Sequence, residues 1–150
     1  MSARTDAAVV DASVAVKWFA QEVLTDEALR VPRAFLRLIA PDIIFTEVTS
    51  ALLKKVRRHE MAGPLVHRAI DVLADRVATT STLTLVRDAY DIAEKNGCSV
   101  YYAVYVVRAL QEDCPLVTAD ERLVNALKPV YPGHLIWLGD VNENSLPRSG

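Results

Sequence analysis

Four short apolar runs alternate with amphipathic helical patterns along this chain, and no other feature constrains its fold as much. Ala7-Ala8-Val9-Val10 is apolar without interruption and is cut off by Asp11. A strand buried on both faces has that signature. Ile39-Ala40 before Pro41, Leu116-Val117-Thr118, and His134 to Leu138 read as three more strands. Ser13 to Phe19 has helical character. Asp26 to Leu38 is expected to be helical in part, with an interruption near Pro32. From Ile43 to Arg58, residues Ile44, Val48, Ala51, Leu52 and Val56 recur at helical spacing, with Asp42 placed as N-cap. Pro64 to Val77 puts Leu65, Ala69, Ile70, Leu73 and Val77 on one face, with Pro64 in its first turn. Leu85, Ala89, Ile92 and Ala93 define another helix, closed by Asn96-Gly97. Asp120 to Leu127 predicts a short last helix. Val100 to Val107 is apolar on all sides, and pattern alone allows a buried strand there. Strands alternating with helices predict βαβ units, hence a mostly parallel sheet with helices on both sides.

The chain has 150 residues, near the commonest size of one domain. A single domain is expected, with its core over about 7–140 and a polar tail over 141–150. Hydrophobic residues make up 51%, enough for a proper core, which excludes disorder as the main state. Lys and Arg number 17 against 19 Asp and Glu, a formal charge of −2. A broadly basic protein that coats nucleic acid is thereby excluded, although a local basic patch is not. Cys98 and Cys114 have no CxxC spacing and few histidine companions. They read as two buried free thiols in a reducing compartment rather than a zinc site. No stretch has the length of a membrane span or the form of a signal peptide, so a cytoplasmic location is expected.

Three acids stand out by position. Asp11 and Asp120 each follow a predicted buried strand, and ligands of open α/β sheets bind outside the carboxyl ends of the strands. Glu47 falls within or beside the apolar stripe of its helix. A charge there needs a cation, a proton or a hydrogen-bonding partner. Carboxylates without matching cations suit a hard divalent metal such as magnesium. The plainer roles are helix caps for Asp11 and Asp120, and a solvent-reaching edge position for Glu47.

Val9-Val10-Asp11-Ala12-Ser13 with Trp18, Pro41 through Glu47 to Leu52, Ser99-Val100-Tyr101 with Ala103 and Tyr105, and Pro115 through Asp120 occur in that order. Together they resemble the successive motifs of PIN domains, most closely the VapC-type toxins of toxin–antitoxin pairs. The resemblance spans roughly Val9 to Leu138. It implies a three-layer α/β/α fold and RNA cleavage with Mg2+ or Mn2+ held at the sheet's carboxyl edge. By the same resemblance Asp11, Glu47 and Asp120 are the metal-binding and catalytic acids, supported by Ser13 and Thr118. It also implies a helix over Ser99 to Leu110, a homodimer and a small antitoxin partner. The chemistry would be hydrolysis of a phosphodiester, the ion lowering the pKa of a bound water and neutralising phosphate charge.

One departure matters. The family usually has Tyr-Asp-Ala where this chain has Tyr101-Tyr102-Ala103. A phenol with an ordinary pKa near 10 is a poor magnesium ligand. Tyr102 therefore points to weakened activity or, alternatively, to an inert PIN-like module that binds antitoxin or nucleic acid without cutting. Lys54, Lys55, Arg57 and Arg58 form a basic run at the end of the Glu47 helix, where the helix dipole favours cations and where contact with RNA or an acidic partner is also open. His59, His67 and His134 lack metal-ligand spacing.

Overall fold

Ala7, Ala8, Val9 and Val10 are all buried, and the strand they form lies at the middle of the sheet. The structure, a computed structural model, describes residues 6–141. Five strands are present among them: β1 (Ala7–Val10), β2 (Arg37–Pro41), β3 (Val77–Thr80), β4 (Leu116–Thr118) and β5 (Leu135–Trp137). They pair in the order β3-β2-β1-β4-β5, every pairing parallel. Val9 stands opposite Ile39 on one side and Leu116 on the other. Seven helices accompany them: α1 (Ala12–Ala15), α2 (Thr25–Ala34), α3 (Ile43–Arg57), α4 (Pro64–Arg76), α5 (Val86–Asn96), α6 (Val100–Glu112) and α7 (Glu121–Leu127). The result is the expected three-layer α/β/α arrangement. Chain order reverses direction across the sheet between β1 and β4, so a crevice opens at their carboxyl ends.

The run Val100 to Val107 lies in helix α6, not a strand, with Val100, Tyr101 and Tyr102 exposed and Ala103 to Val107 buried. Ser99 caps it, its hydroxyl accepting from the Tyr102 amide at 3.2 Å. Burial on most sides, from Ala103 through Val107, explains why its pattern carried no helical period. The preceding helix α5 ends at Gly97, whose φ of +69° is a left-handed conformation that glycine adopts without strain.

Several sequence expectations need correction. Val77 starts a fifth strand instead of ending a helix. β3 is an edge strand with Ala78 and Thr79 exposed, so it lacks the apolar run that marks a buried strand. Helix α2 stops at Ala34, and Arg37 and Leu38 belong to β2. Pro32 does not interrupt α2. A proline at 32 deprives the Ala28 carbonyl of its helical donor, and the Trp18 indole N–H donates to that carbonyl at 2.8 Å instead. Asp42 precedes α3 but does not cap it with its side chain. Its carboxylate instead accepts from the Thr82 amide at 3.0 Å and the Thr82 hydroxyl at 2.6 Å. Leu65 is exposed on α4. Cys114 is a buried free thiol, whereas Cys98 is only half-buried. Of the expected polar tail, 142–150 lie outside the described residues, and Val141 is buried.

Candidate active site

Asp11 follows the last residue of β1 and is 3% exposed. Its backbone is extended (φ −97°, ψ 176°), so its side chain turns back over the start of α1. One carboxylate oxygen accepts from the Ser13 hydroxyl at 2.5 Å and from the Val14 amide at 3.3 Å. The other accepts from the Thr118 hydroxyl at 2.5 Å. These hydroxyls have their own donors. The Ala119 amide donates to Ser13 Oγ at 3.0 Å and the Asp120 amide to Thr118 Oγ1 at 3.1 Å. With those lone pairs taken, both hydroxyl protons aim at Asp11. The backbone after β4 thus fixes the carboxylate at the end of β1 through two relays.

Asp120 lies two residues beyond β4 and is half-buried. Its Oδ1 accepts from the Leu123 amide at 3.1 Å, so it caps α7. Asp11 likewise caps α1. Capping and facing the crevice are therefore compatible for both acids.

Glu47 sits on α3 beside the buried Ile44 and Val48. Its partner is a phenol: Tyr105 on α6, 2% exposed, donates its hydroxyl to Glu47 Oε1 at 2.5 Å. The sequence pattern marks Tyr105 as a motif residue of the helix but not as a partner of Glu47. The available signal was that a buried tyrosine needs a hydrogen-bond partner.

Electrostatics tie the three acids together. Burial pushes the Asp11 carboxyl above its ordinary range, against the hydrogen bonds from Ser13, Thr118 and Val14; the Asp120 charge adds to the rise. Burial also raises Glu47, with the Asp11 charge contributing and the Tyr105 bond opposing. Neither shift has a contribution from a Lys or Arg. Tyr102 completes the group. Its phenol is pushed up to about 12, first by its hydrogen bond to Asp120, then by burial and by the charges of Asp120, Asp11 and Glu47. Hence its hydroxyl stays protonated and donates to Asp120.

The chemistry of this donor set suits a hard cation: carboxylates and neutral hydroxyls, with no Lys or Arg contributing to the Asp11 and Glu47 shifts. Its spacing is looser. Among the described residues, no three or more His, Cys, Asp or Glu side chains gather closely enough to hold a metal ion. Beside Asp120 stands the Tyr102 phenol rather than a further carboxylate.

The family model of the PIN domain matches residues 8–128. The chain belongs to the PIN domain family. PIN domains form a superfamily of nucleases, so a nuclease-like role on nucleic acid follows from membership. Divalent metal use is general in this PIN family. No curated protein matches the chain. Among the described residues no helix is long and apolar enough to cross a membrane.

Proposed function

We propose that this PIN domain is a metal-dependent endoribonuclease of the VapC toxin type, weakened by Tyr102. The observation that carries this reading is the buried Asp11 carboxylate at the end of β1, held by the Ser13 and Thr118 hydroxyls beside Asp120 after β4, in a chain of the PIN family. Asp11, Glu47 and Asp120 are the residues that would hold Mg2+ or Mn2+. When bound, such a cation supplies the charge that polarises a phosphodiester and lowers the pKa of the attacking water.

The chain's own groups prepare that function. Ser13 and Thr118 orient Asp11 and keep it more acidic than burial alone allows. Tyr105 does the same for Glu47. Both acids are easier to ionise for having these donors, and only the ionised form binds a cation. By resemblance, the working unit is a cytoplasmic homodimer restrained by a small antitoxin.

A second reading is favoured by one observation. The Tyr102 hydroxyl, bonded to Asp120, supplies a proton where a further carboxylate would complete the acidic group. That reading is an inert PIN-like module that binds antitoxin or nucleic acid without cleavage.

The experiment is cleavage of a mixed structured RNA with Mg2+ or Mn2+ against a chelator, with Asp11→Asn alongside. The nuclease reading expects cleavage that needs both the metal and Asp11. Undiminished metal-dependent cleavage by Asp11→Asn overturns the site assignment. No cleavage by the folded wild-type chain moves the weight to the inert module.

A further inference from the structure

We infer that the α3 face from Glu47 to Arg58 is a track for the backbone of single-stranded RNA, with Lys54 and Arg58 on phosphates and Tyr101 stacking on a base beside the acids. This rests on the nuclease reading of the site and adds where the strand runs. A cavity of about 470 Å3 is lined by Thr46, Glu47, Ser50, Lys54, Arg58 and Tyr101, among others. A second cavity of about 320 Å3 shares Glu47 and Glu22 with it and reaches Ser13 and Lys17. The two form one groove from the Asp11 relay, past Glu47, to the basic end of α3.

Residues 47, 50, 51, 54 and 58 share one helix face, at steps of three, four, seven and eleven. At 1.5 Å per residue, Lys54 lies about 10 Å and Arg58 about 16 Å along the axis from Glu47. A stacked strand advances about 3.4 Å per nucleotide, so these cations meet phosphates about three and five nucleotides from the acids.

The positive charges of the groove are not equivalent. Lys55 pairs with Glu22 at 3.6 Å and Glu60 at 3.7 Å, and Lys17 pairs with Glu22 at 3.8 Å. Lys54 and Arg58 are exposed and have no ion-pair partner among the described residues. The helix dipole accounts for cations at the end of α3. It does not account for two free ones lining the same cavity as Glu47. Tyr101 is 64% exposed, lines the same cavity as Glu47 and stands next to Tyr102 in the chain. A ring that exposed offers a face to solvent, and sequence-tolerant stacking on bases is what such rings supply in single-strand grooves.

The test is fluorescence anisotropy of a labelled ten-nucleotide single-stranded RNA over a salt series, with chelator present so that binding is read without cleavage. Lys54→Gln and Arg58→Gln should each lower the salt slope by about 0.7 and weaken binding about fivefold at 0.1 M salt. Lys55→Gln should change the slope by less than half as much. Tyr101→Ala should weaken binding by about fivefold or more while leaving the slope unchanged. Shortening the RNA to two nucleotides should remove the effect of both basic variants. The inference is overturned if Lys54→Gln and Arg58→Gln bind as the wild type does, or if Lys55→Gln costs as much as they do. It is also overturned if poly-glutamate competes as well as RNA and Tyr101→Ala has no effect, which would make the track a site for an acidic protein segment. A chain that binds along this track but never cuts RNA leaves the track standing and sinks the nuclease reading alone.

Discussion

Thr118→Val tests whether the relays around Asp11 are as the structure shows them. Thr118 is fully buried, and valine has nearly its shape. The substitution removes the donor to Asp11 Oδ2 and the acceptor of the Asp120 amide together. A hydrogen bond to a charged group contributes about 1.5–3 kcal/mol, and a buried donor left unmade costs about 1–3 kcal/mol. The added methyl group returns about 0.8 kcal/mol. A net loss of about 3 kcal/mol follows, which for a domain of this size lowers Tm by roughly 6–12 °C. The loss depends on pH. Burial holds the folded Asp11 pKa above its ordinary 3.8, so the folded chain binds that proton more tightly than the unfolded chain. Stability therefore falls as pH rises through the interval above 3.8. The Thr118 bond opposes this rise, so its removal lifts the folded pKa further. The variant's deficit should be largest at neutral pH and should shrink as Asp11 takes up its proton in acid. Calorimetric melts at neutral and acid pH measure it. A variant as stable as the wild type at neutral pH, or one with the same deficit at both, refutes the relay.

Three further outcomes follow from the same geometry. Tyr102→Asp adds a carboxylate beside three others, so without metal it should melt lower than the wild type, and with Mn2+ it should melt higher and cleave RNA about tenfold faster or more; no gain in either refutes a site silenced by the phenol. Tyr105→Phe removes the bond that restrains the Glu47 pKa, so the acid limb of the cleavage profile should move to higher pH; an unmoved limb separates Glu47 from the chemistry. The Thr82 bonds hold Asp42 below the usual carboxylate range. The stability they contribute is present at neutral pH and is lost as pH falls through that depressed value, so Asp42→Ala should differ from the wild type at neutral pH and not in strong acid, by comparative urea midpoints.

Burial decides what the sequence discloses here. β1 and β4 lie inside the sheet, and their unbroken apolar runs mark them and the acids that end them. β3 is an edge strand with Ala78 and Thr79 facing water, so it lacks the apolar run that marks the inner strands. Pro32 is a helix breaker by rule, yet the carbonyl it leaves bare is satisfied by Trp18 from ten residues upstream, a contact invisible in local pattern. Asp42 has the residue type of a cap, but Thr82 draws its carboxylate across to another element. At the candidate site, Asp11, Glu47 and Asp120 are legible because acids beside apolar runs are costly. Tyr105 is not, because a tyrosine in a valine-rich helix looks like packing until its hydroxyl is placed against Glu47.

The most direct measurement is a Mn2+ titration, followed by paramagnetic resonance of the free ion, on the wild type, Asp11→Asn and Tyr102→Asp. If three acids form one cation site crowded by a phenol, the wild type binds Mn2+ weakly and saturably. Asp11→Asn then abolishes that binding, and Tyr102→Asp tightens it by about tenfold or more. Binding that Asp11→Asn leaves unchanged, or no binding by either the wild type or Tyr102→Asp, contradicts the account.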